Sequence, residues 1–558
     1  MLSPRSPNAG DENIIRKLDH GDDFGEKGIT MIAGVMLLIN NITGPGVPSL
    51  PNLFAEAGLL PPALCILACW GITTLSASMY AEAMANIPGN DHFQGRIEFS
   101  TIIQYYFGRT WFVAAMIGLV GSLLALVIIS IIQSGQVLDD LIATMFGKTC
   151  GLNITPFQNV WNNATGNETG INFNVVGSTD FFSCIDTNNV GTGNPWGCHV
   201  VLSLGYVLVA GMAIPCGLYN LDDNMIIQQV AFWLTMLCWV IWIFAAFTND
   251  RPMNSISGGL SIINNDVDTG SIAGVLGAIL FNFGFVTTVP SWINEKDPSV
   301  KVNRSLWSAT TICVVIYFLV GATAGHVFSD VLQGTVTGTC AAHSGANGVG
   351  GKSTYNCANN LLQIYTNSDT APWQGSGFGT GLLQLSVYMF PVVCLVSSIP
   401  IFCIIIKYNL RENGWSKEAS FFWGVIFPWL ASFPLLYQPN VLSQVINFTS
   451  LVFVSFTAFI VPFMLYIKLQ YKQAEGESVS RVKLEGGGEG LISQPLTAAD
   501  PEHKAFPSGW GRENPDFKIN LSRFFVGVIA VAAMIGIYLT VDQGSYSFDQ
   551  QTCALTGS

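Results

Sequence analysis

The stretch MIAGVMLLINNITGPGVPSLPNLFAEAG, residues 31–58, decides how the whole chain is read. It is apolar enough to cross a bilayer core of about 30 Å, which takes roughly 20 apolar residues. Yet Gly44, Pro45, Gly46, Pro48 and Pro51 fall in its middle. Each proline removes a backbone N–H and clashes with the turn before it. A single proline would read as a kink packed against neighbours. Three prolines and two glycines within eight residues predict a helix broken near Ile42–Val47. In hydrocarbon each freed amide or carbonyl costs several kcal/mol if left bare, so the break must face protein, water or ligand.

The rest of the chain fits a membrane protein. Of its 558 residues 50% are apolar and 11% charged, against roughly 25% charged in a soluble domain. Mean hydropathy is +0.44, and the charges gather between long apolar runs. Those runs are 29–57, 59–86, 111–145, 199–216, 224–248, 271–290, 305–328, 378–408, 419–436, 440–468 and 519–541, here spans 1 to 11. The expected fold is an all-α polytopic membrane protein of about eleven helices. An odd count puts the termini on opposite sides. With the N-terminus in the cytoplasm only Lys148, Arg251 and Lys352 of the 23 basic residues fall outside, a strong positive-inside bias. The polar first 28 residues lack the apolar core of a signal peptide, so insertion is expected to start at span 1.

The resulting plan is a cytoplasmic tail (1–28), a transmembrane core (29–468) and a flexible cytoplasmic linker (469–518). The last helix (519–541) and an extracytoplasmic tail (542–558) follow. The external loop 146–198 carries glycosylation sequons at Asn153, Asn163 and Asn167. Sequons at Asn41, Asn447, Asn303 and Asn520 lie in spans or inside and are read as chance. Cys150, Cys184, Cys198, Cys340, Cys357 and Cys553 also land on the oxidising side. Cys340 and Cys357 flank a small loop and are expected to pair. So are two of Cys150, Cys184 and Cys198, which two being open, and free thiols are the alternative in each case.

Span 6 is interrupted as well. In AILFNFGFVTTVPSWINEKDPS, residues 278–299, Asn282, Gly284, Thr287, Thr288 and Pro290 break an apolar run. Polar residues at bilayer depth are costly and usually face a cavity. Spans 1 and 6 open two successive five-helix sets, about 29–248 and 271–468, and five helices per set make the second inverted relative to the first. Paired interruptions at matching places are the sequence pointer to a transporter's substrate site. A half-helix N-terminus suits a carboxylate, and the carbonyls ending the other half suit a cation. A zwitterionic amino acid offers both groups. Its side chain would meet span 6 near Phe281, Phe283 and Phe285, although such rings are more often core filler or lipid contact than pocket wall.

The stretch NNITGPGVPSLP at 40–51, followed by FAEAGLLP at 54–61, resembles the first helix of the amino acid/auxin permease family. FVTTVPSWINEKDPS at 285–299 resembles that family's sixth helix and its exit, and VSSIPIF at 396–402 followed by KYNLR at 407–411 resembles its eighth. The resemblance covers roughly 27–468 and the last helix. Pro45 and Pro48 depart from the family's small residue and Leu, and the loop before span 4 is long. The resemblance implies an amino-acid transporter with a five-plus-five inverted repeat. It also implies substrate contacts at Ile42, Thr43, Gly44, Gly46, Phe285 and Thr287. Asn40 with Ser397 or Ser398 would hold a coupling sodium, an oxygen set suited to a hard cation. Otherwise Asn40 caps the half-helix, the serines bond back within span 8, and protons drive transport. Glu56, near the end of span 1, would either carry a proton or sit in the outer vestibule.

There is no phosphate-binding loop for ATP, no metal-ligand spacing and no nucleophile motif, so neither an enzyme nor a cofactor is expected. The acidic pI of 4.8 excludes nucleic acid as a partner. The expected partners are an amino-acid substrate and the bilayer, with the chain a monomer in the plasma membrane or an endolysosomal or vacuolar membrane. The rival reading is an amino-acid-sensing receptor on a transporter fold, but neither 1–28 nor 469–518 is long enough for a folded signalling domain.

Overall fold

The computed structural model of the chain describes residues 25–88, 90–154, 182–186, 201–248, 262, 269–332, 361–366, 372–373, 377–436, 445–446, 448–485, 504–506, 514–542, 546–549 and 554–557. It is a bundle of helices. Among the described residues eight helices are long and apolar enough to cross a membrane, and a bent pair, Met31–Ile42 with Val47–Ala57, adds a ninth. Leu204–Cys216 is a shorter apolar helix, and residues 417–435 form a run of short helical pieces. Every one of the eleven apolar stretches therefore contains helix.

Several boundaries differ from the sequence reading for visible reasons. Residues 201–203, expected to begin span 4, instead form a strand Val201–Ser203 beside Lys148–Asn153. The helix starts only where the Ser203 hydroxyl accepts from the Tyr206 amide, an N-cap that halts the strand. Span 6 continues past Pro290 to Glu295, because that proline sits in the first turn, where its missing N–H costs nothing. The helix of span 10 runs on to Glu485.

Outside the bundle Lys148–Asn153 pairs antiparallel with Phe182–Asp186 as well as with Val201–Ser203. Cys150 faces Cys184, and the two form a disulfide with an S–S distance of 2.00 Å. This selects one of the pairings left open by the sequence. Asn153 lies at the end of its strand opposite Val201. Asn163, Asn167, Cys198, Cys340, Cys357 and Cys553 lie outside the described residues.

Small residues bring the helices together, as expected where lipid is as apolar as the side chains. Gly321 and Gly325 of span 7 lie against Phe54, in the second half of span 1. Gly118 and Gly121 of span 3 lie against Thr457, Phe456 and Phe453 of span 10. On the outside, Ile226, Trp233, Val240 and Phe247 of span 5 form one exposed stripe at helical spacing. In a soluble protein such a stripe would need a partner; here lipid covers it.

Candidate functional site

Span 1 is helical to Ile42. Residues 43–46 are irregular, Val47–Ser49 make one tight turn, and Leu50–Ala57 are helical again. The two halves are bent by 51°. Thr43 ends the first half: its amide and its hydroxyl both donate to the Ile39 carbonyl, at 2.8 and 2.7 Å. Pro45 cannot continue the ladder. In span 6 the α-helix ends at Asn282, a tight turn covers Gly284–Thr288, and the helix resumes at Val289. There the Thr287 and Thr288 hydroxyls donate to the Gly284 and Phe285 carbonyls, at 3.4 and 2.8 Å.

The carbonyls freed at the breaks are taken up by the surrounding spans. Tyr317 of span 7 donates its hydroxyl to the Ile42 carbonyl at 2.6 Å. The Cys394 thiol of span 8 reaches the Thr43 carbonyl at 3.3 Å, and Gln133 Nε2 of span 3 the Pro45 carbonyl at 3.3 Å. Thr73 of span 2 donates to the Phe283 carbonyl at 3.0 Å.

The two breaks touch where Gly46 faces Asn282, and a Cβ on Gly46 would overlap the Asn282 amide oxygen. At Gly44, by contrast, a Cβ would meet nothing within 4 Å. Ile42, Thr43, Phe285 and Thr287 are all buried beside this contact. The expected substrate residues of spans 1 and 6 therefore converge on one buried place at the centre of the bundle.

Four polar atoms at this place have no hydrogen-bond partner among the described residues: Asn282 Nδ2 and Oδ1, Gln133 Oε1 and Asn41 Oδ1. A buried amide without partners costs about 1–3 kcal/mol. Together they offer donors and acceptors to a ligand carrying both kinds of group.

The expected ion ligands are joined in another way. Asn40 Nδ2 donates to the backbone and side-chain oxygens of Gln228 in span 5, at 2.9 and 3.0 Å. Gln228 Nε2 in turn donates to the Ser397 carbonyl at 2.7 Å. The Ser397 and Ser398 hydroxyls donate back to the Cys394 carbonyl, at 3.0 and 2.8 Å. Asn40 and span 8 are thus linked through a glutamine. Glu56 accepts from Asn52 at 2.7 Å, away from the break.

A second polar cluster sits at the end of the bundle that carries Gly25. Glu98, fully buried, accepts from Ser291 at 2.6 Å, Asn294 at 2.9 Å and Asn409 at 3.1 Å. Its own amide donates to the Glu412 carboxylate at 2.9 Å. Burial and the Glu412 charge push Glu98 up to about 8. Glu295 accepts from the Tyr408 hydroxyl at 2.7 Å and from the amides of Asp222 and Gly25, at 2.7 and 3.2 Å. Backbone bonds Ile29 N to Glu295 O (3.1 Å) and Asp297 N to Ile29 O (2.9 Å) tie the entry of span 1 to the exit of span 6. Lys27 reaches the carbonyls of Phe93, Gln94 and Gly95, and burial with the neighbouring Arg96 lowers its ammonium to about 8.

Asn282 marks the interruption in the sequence, but nothing there assigns it a contact. Gln133 and Gln228 are missed, though each is a polar residue in an otherwise apolar run. Glu98 carries no sequence signal, and Asn294 and Asn409 lie in stretches read for the family resemblance, which gives neither of them a role.

Residues 27–160 match the tryptophan/tyrosine permease family. No curated protein matches the chain. Among solved structures the chain is similar to that of MhsT in complex with L-phenylalanine. The TM-score is 0.55 at 13% sequence identity, over 92% of this chain and 100% of that one. The likeness establishes a shared fold.

Proposed function

We propose that the chain is a secondary active transporter that carries amino acids across a membrane by alternating access, coupled to sodium or protons. The observation that carries the reading is the meeting of two broken spans at Gly46 and Asn282, with unpaired amide atoms around it. This is the arrangement in which half-helix ends bind a small charged solute near the bilayer midplane. The permease-family match over span 1 and the resemblance to a phenylalanine-bound structure support an amino acid as that solute.

In this reading the substrate lies in the open space beside Gly44. Its carboxylate meets the amides at the start of the second half of span 1, and its ammonium meets carbonyl and amide oxygens near Thr43, Asn282 and Gln133. Phe285 and Thr287 line the side-chain pocket. The Asn40–Gln228–Ser397 chain would report the coupling ion by rearranging when it binds. The N-terminus lies in the cytoplasm, the eleven stretches cross the membrane as two inverted five-helix repeats plus one helix, and the chain acts as a monomer. The Gly25 end is then the cytoplasmic closure, shut by Glu98 and Glu295. A gradient of 100 mV supplies about 2.3 kcal/mol per charge, enough for roughly fiftyfold accumulation.

The test is uptake of a radiolabelled amino-acid mixture into proteoliposomes, under an inward sodium gradient and then an inward proton gradient, each beside Asn40→Ala. Sodium-driven uptake lost in Asn40→Ala supports the sodium reading. Proton-driven uptake that survives it removes Asn40 as an ion ligand. Binding without accumulation under either gradient overturns transport and favours a receptor.

A further inference from the structure

Glu82 is a buried carboxylate that the central site does not use. It lies on span 2, 2% exposed, at the end of the bundle that carries Gly25. It accepts a hydrogen bond from the backbone N–H of Ala505 at 2.7 Å. Ala505 belongs to the polar segment between spans 10 and 11, yet it is 4% exposed. Its neighbours are seated too. Asn303, at the start of span 7, donates to the Lys504 carbonyl at 2.8 Å. Phe506 is 4% exposed, its ring 6.0 Å from that of Tyr466 on span 10. Lys504 and Lys518 place positive charge near Glu82.

One backbone N–H and one backbone carbonyl are therefore read by side chains of the bundle, and an aromatic ring fills a pocket beside them. Grooves recognise short extended peptides in this way: main-chain hydrogen bonds hold the strand and a side-chain pocket selects the sequence. The three walls belong to two groups of helices. Spans 2 and 7 hold the breaks, through Thr73 to Phe283, Tyr317 to Ile42, and Gly321 against Phe54. Span 10 packs on span 3, through Gly118 and Gly121, and on span 11, through Phe463 with Phe525. Ser76 of span 2 also donates to the Ala458 carbonyl of span 10, so the seated peptide adds a further link at the end of a seam the two groups already share. Alternating access in broken-helix transporters is largely the rocking of one such group against the other.

We propose that Glu82, Asn303 and Tyr466 form a peptide-docking site whose ligand is the chain's own Lys504–Ala505–Phe506, and that the docked peptide slows turnover by bridging the two groups. The slowing rests on the transport reading above; the docking does not. Two measurements separate them. Trypsin cleavage after Lys504 in the purified full chain reads docking. Phe506→Ala and Asn303→Ala, which removes the donor to the Lys504 carbonyl, are expected to be cut about tenfold faster than the parent. Ala505→Gly, which keeps the N–H, is expected to match the parent.

Uptake by the same proteins in vesicles reads turnover. The maximal rate is expected to rise about threefold in Phe506→Ala and Asn303→Ala, with half-saturation unchanged. A synthetic peptide of residues 500–511, added on the linker side, is expected to return Phe506→Ala to the parent rate, and the same peptide with alanine at 506 is not. Equal cleavage of parent and variants overturns the docking site. Faster cleavage with unchanged or lower uptake overturns the brake. Faster cleavage where the parent itself accumulates no amino acid overturns the transport reading and leaves the docking site standing.

Discussion

The centre of the bundle and its Gly25 end both bury many polar side chains, but they treat them in opposite ways. At the end, each carboxylate has its donors: Glu98 has three side chains and Glu295 has a tyrosine and two amides. At the centre, among the described residues, Asn282 has no partner for either amide atom, and Gln133 lacks one for its oxygen. A fully paired buried network locks one arrangement; a partly paired one is held open for something to arrive. In the transport reading proposed above, the first would be the closure and the second the binding place.

The sharpest way to break this comparison is Gly46→Ala. Its methyl overlaps Asn282 Oδ1 and pushes the two breaks apart. A displacement of about 1 Å at a reacting or binding centre costs on the order of a hundredfold, so amino-acid uptake should fall by that factor. Parent-like uptake would show that the breaks do not work together.

Next is Asn282→Ala. Hydrogen bonds to a charged partner contribute about 1.5–3 kcal/mol, so uptake should drop at least tenfold by the usual conversion of roughly 1.4 kcal/mol per decade. The melting temperature should hold or rise, because no internal bond is lost. A large fall in melting temperature would mean that the asparagine is structural.

At the paired end the effect should appear in stability. Glu98 lies at about 8 in the folded protein, so folding binds its proton more tightly than the unfolded chain does. Stability should therefore fall as pH rises from the ordinary carboxylate range to about 8, and level off above it. Glu98→Gln, permanently neutral, should flatten that slope in melting curves taken from pH 5 to 9. A parent curve that is flat over this window breaks the assignment.

The smallest effect belongs to Gln133→Leu. It removes an unpaired oxygen together with one 3.3 Å bond to Pro45. Half-saturation should shift about threefold, with melting unchanged within about 1 kcal/mol.

The breaks were legible in the sequence because their cause is local. Pro45, Pro48 and Pro51 cannot hydrogen-bond back to a preceding turn, so a helix reaching them must end, although Pro51 fits the first turn of the helix that follows; Gly284 with Pro290 marks the second break nearly as clearly. The eleven helical stretches were legible for the same reason, since apolar length needs no tertiary information. The partners of the breaks were not. Gln133 lies 88 residues from Pro45 and Tyr317 lies 275 from Ile42, and no local pattern says which polar residue of an apolar run turns inward. Gln228 shows the same limit. Asn40 and Ser397 were read as a pair, but the amide that joins them came from span 5, through contacts that only packing creates. The strand Val201–Ser203 was hidden because a short run rich in Val and Leu serves a strand or a helix equally well.

The backbone bonds between Ile29 and the exit of span 6 have a consequence for synthesis. Gly25 and its partner Glu295 are 270 residues apart. At about 5–20 residues per second, the ribosome delivers the second roughly 15–50 s after the first. Through that interval the broken first span is without the segment that completes its Gly25 end. Lys27 can meanwhile hold the carbonyls of Phe93–Gly95, and Arg96 the Gly25 carbonyl at 2.8 Å. Those partners emerge within the first quarter of the wait, so the chain carries its own clamp for the nascent end until span 6 arrives.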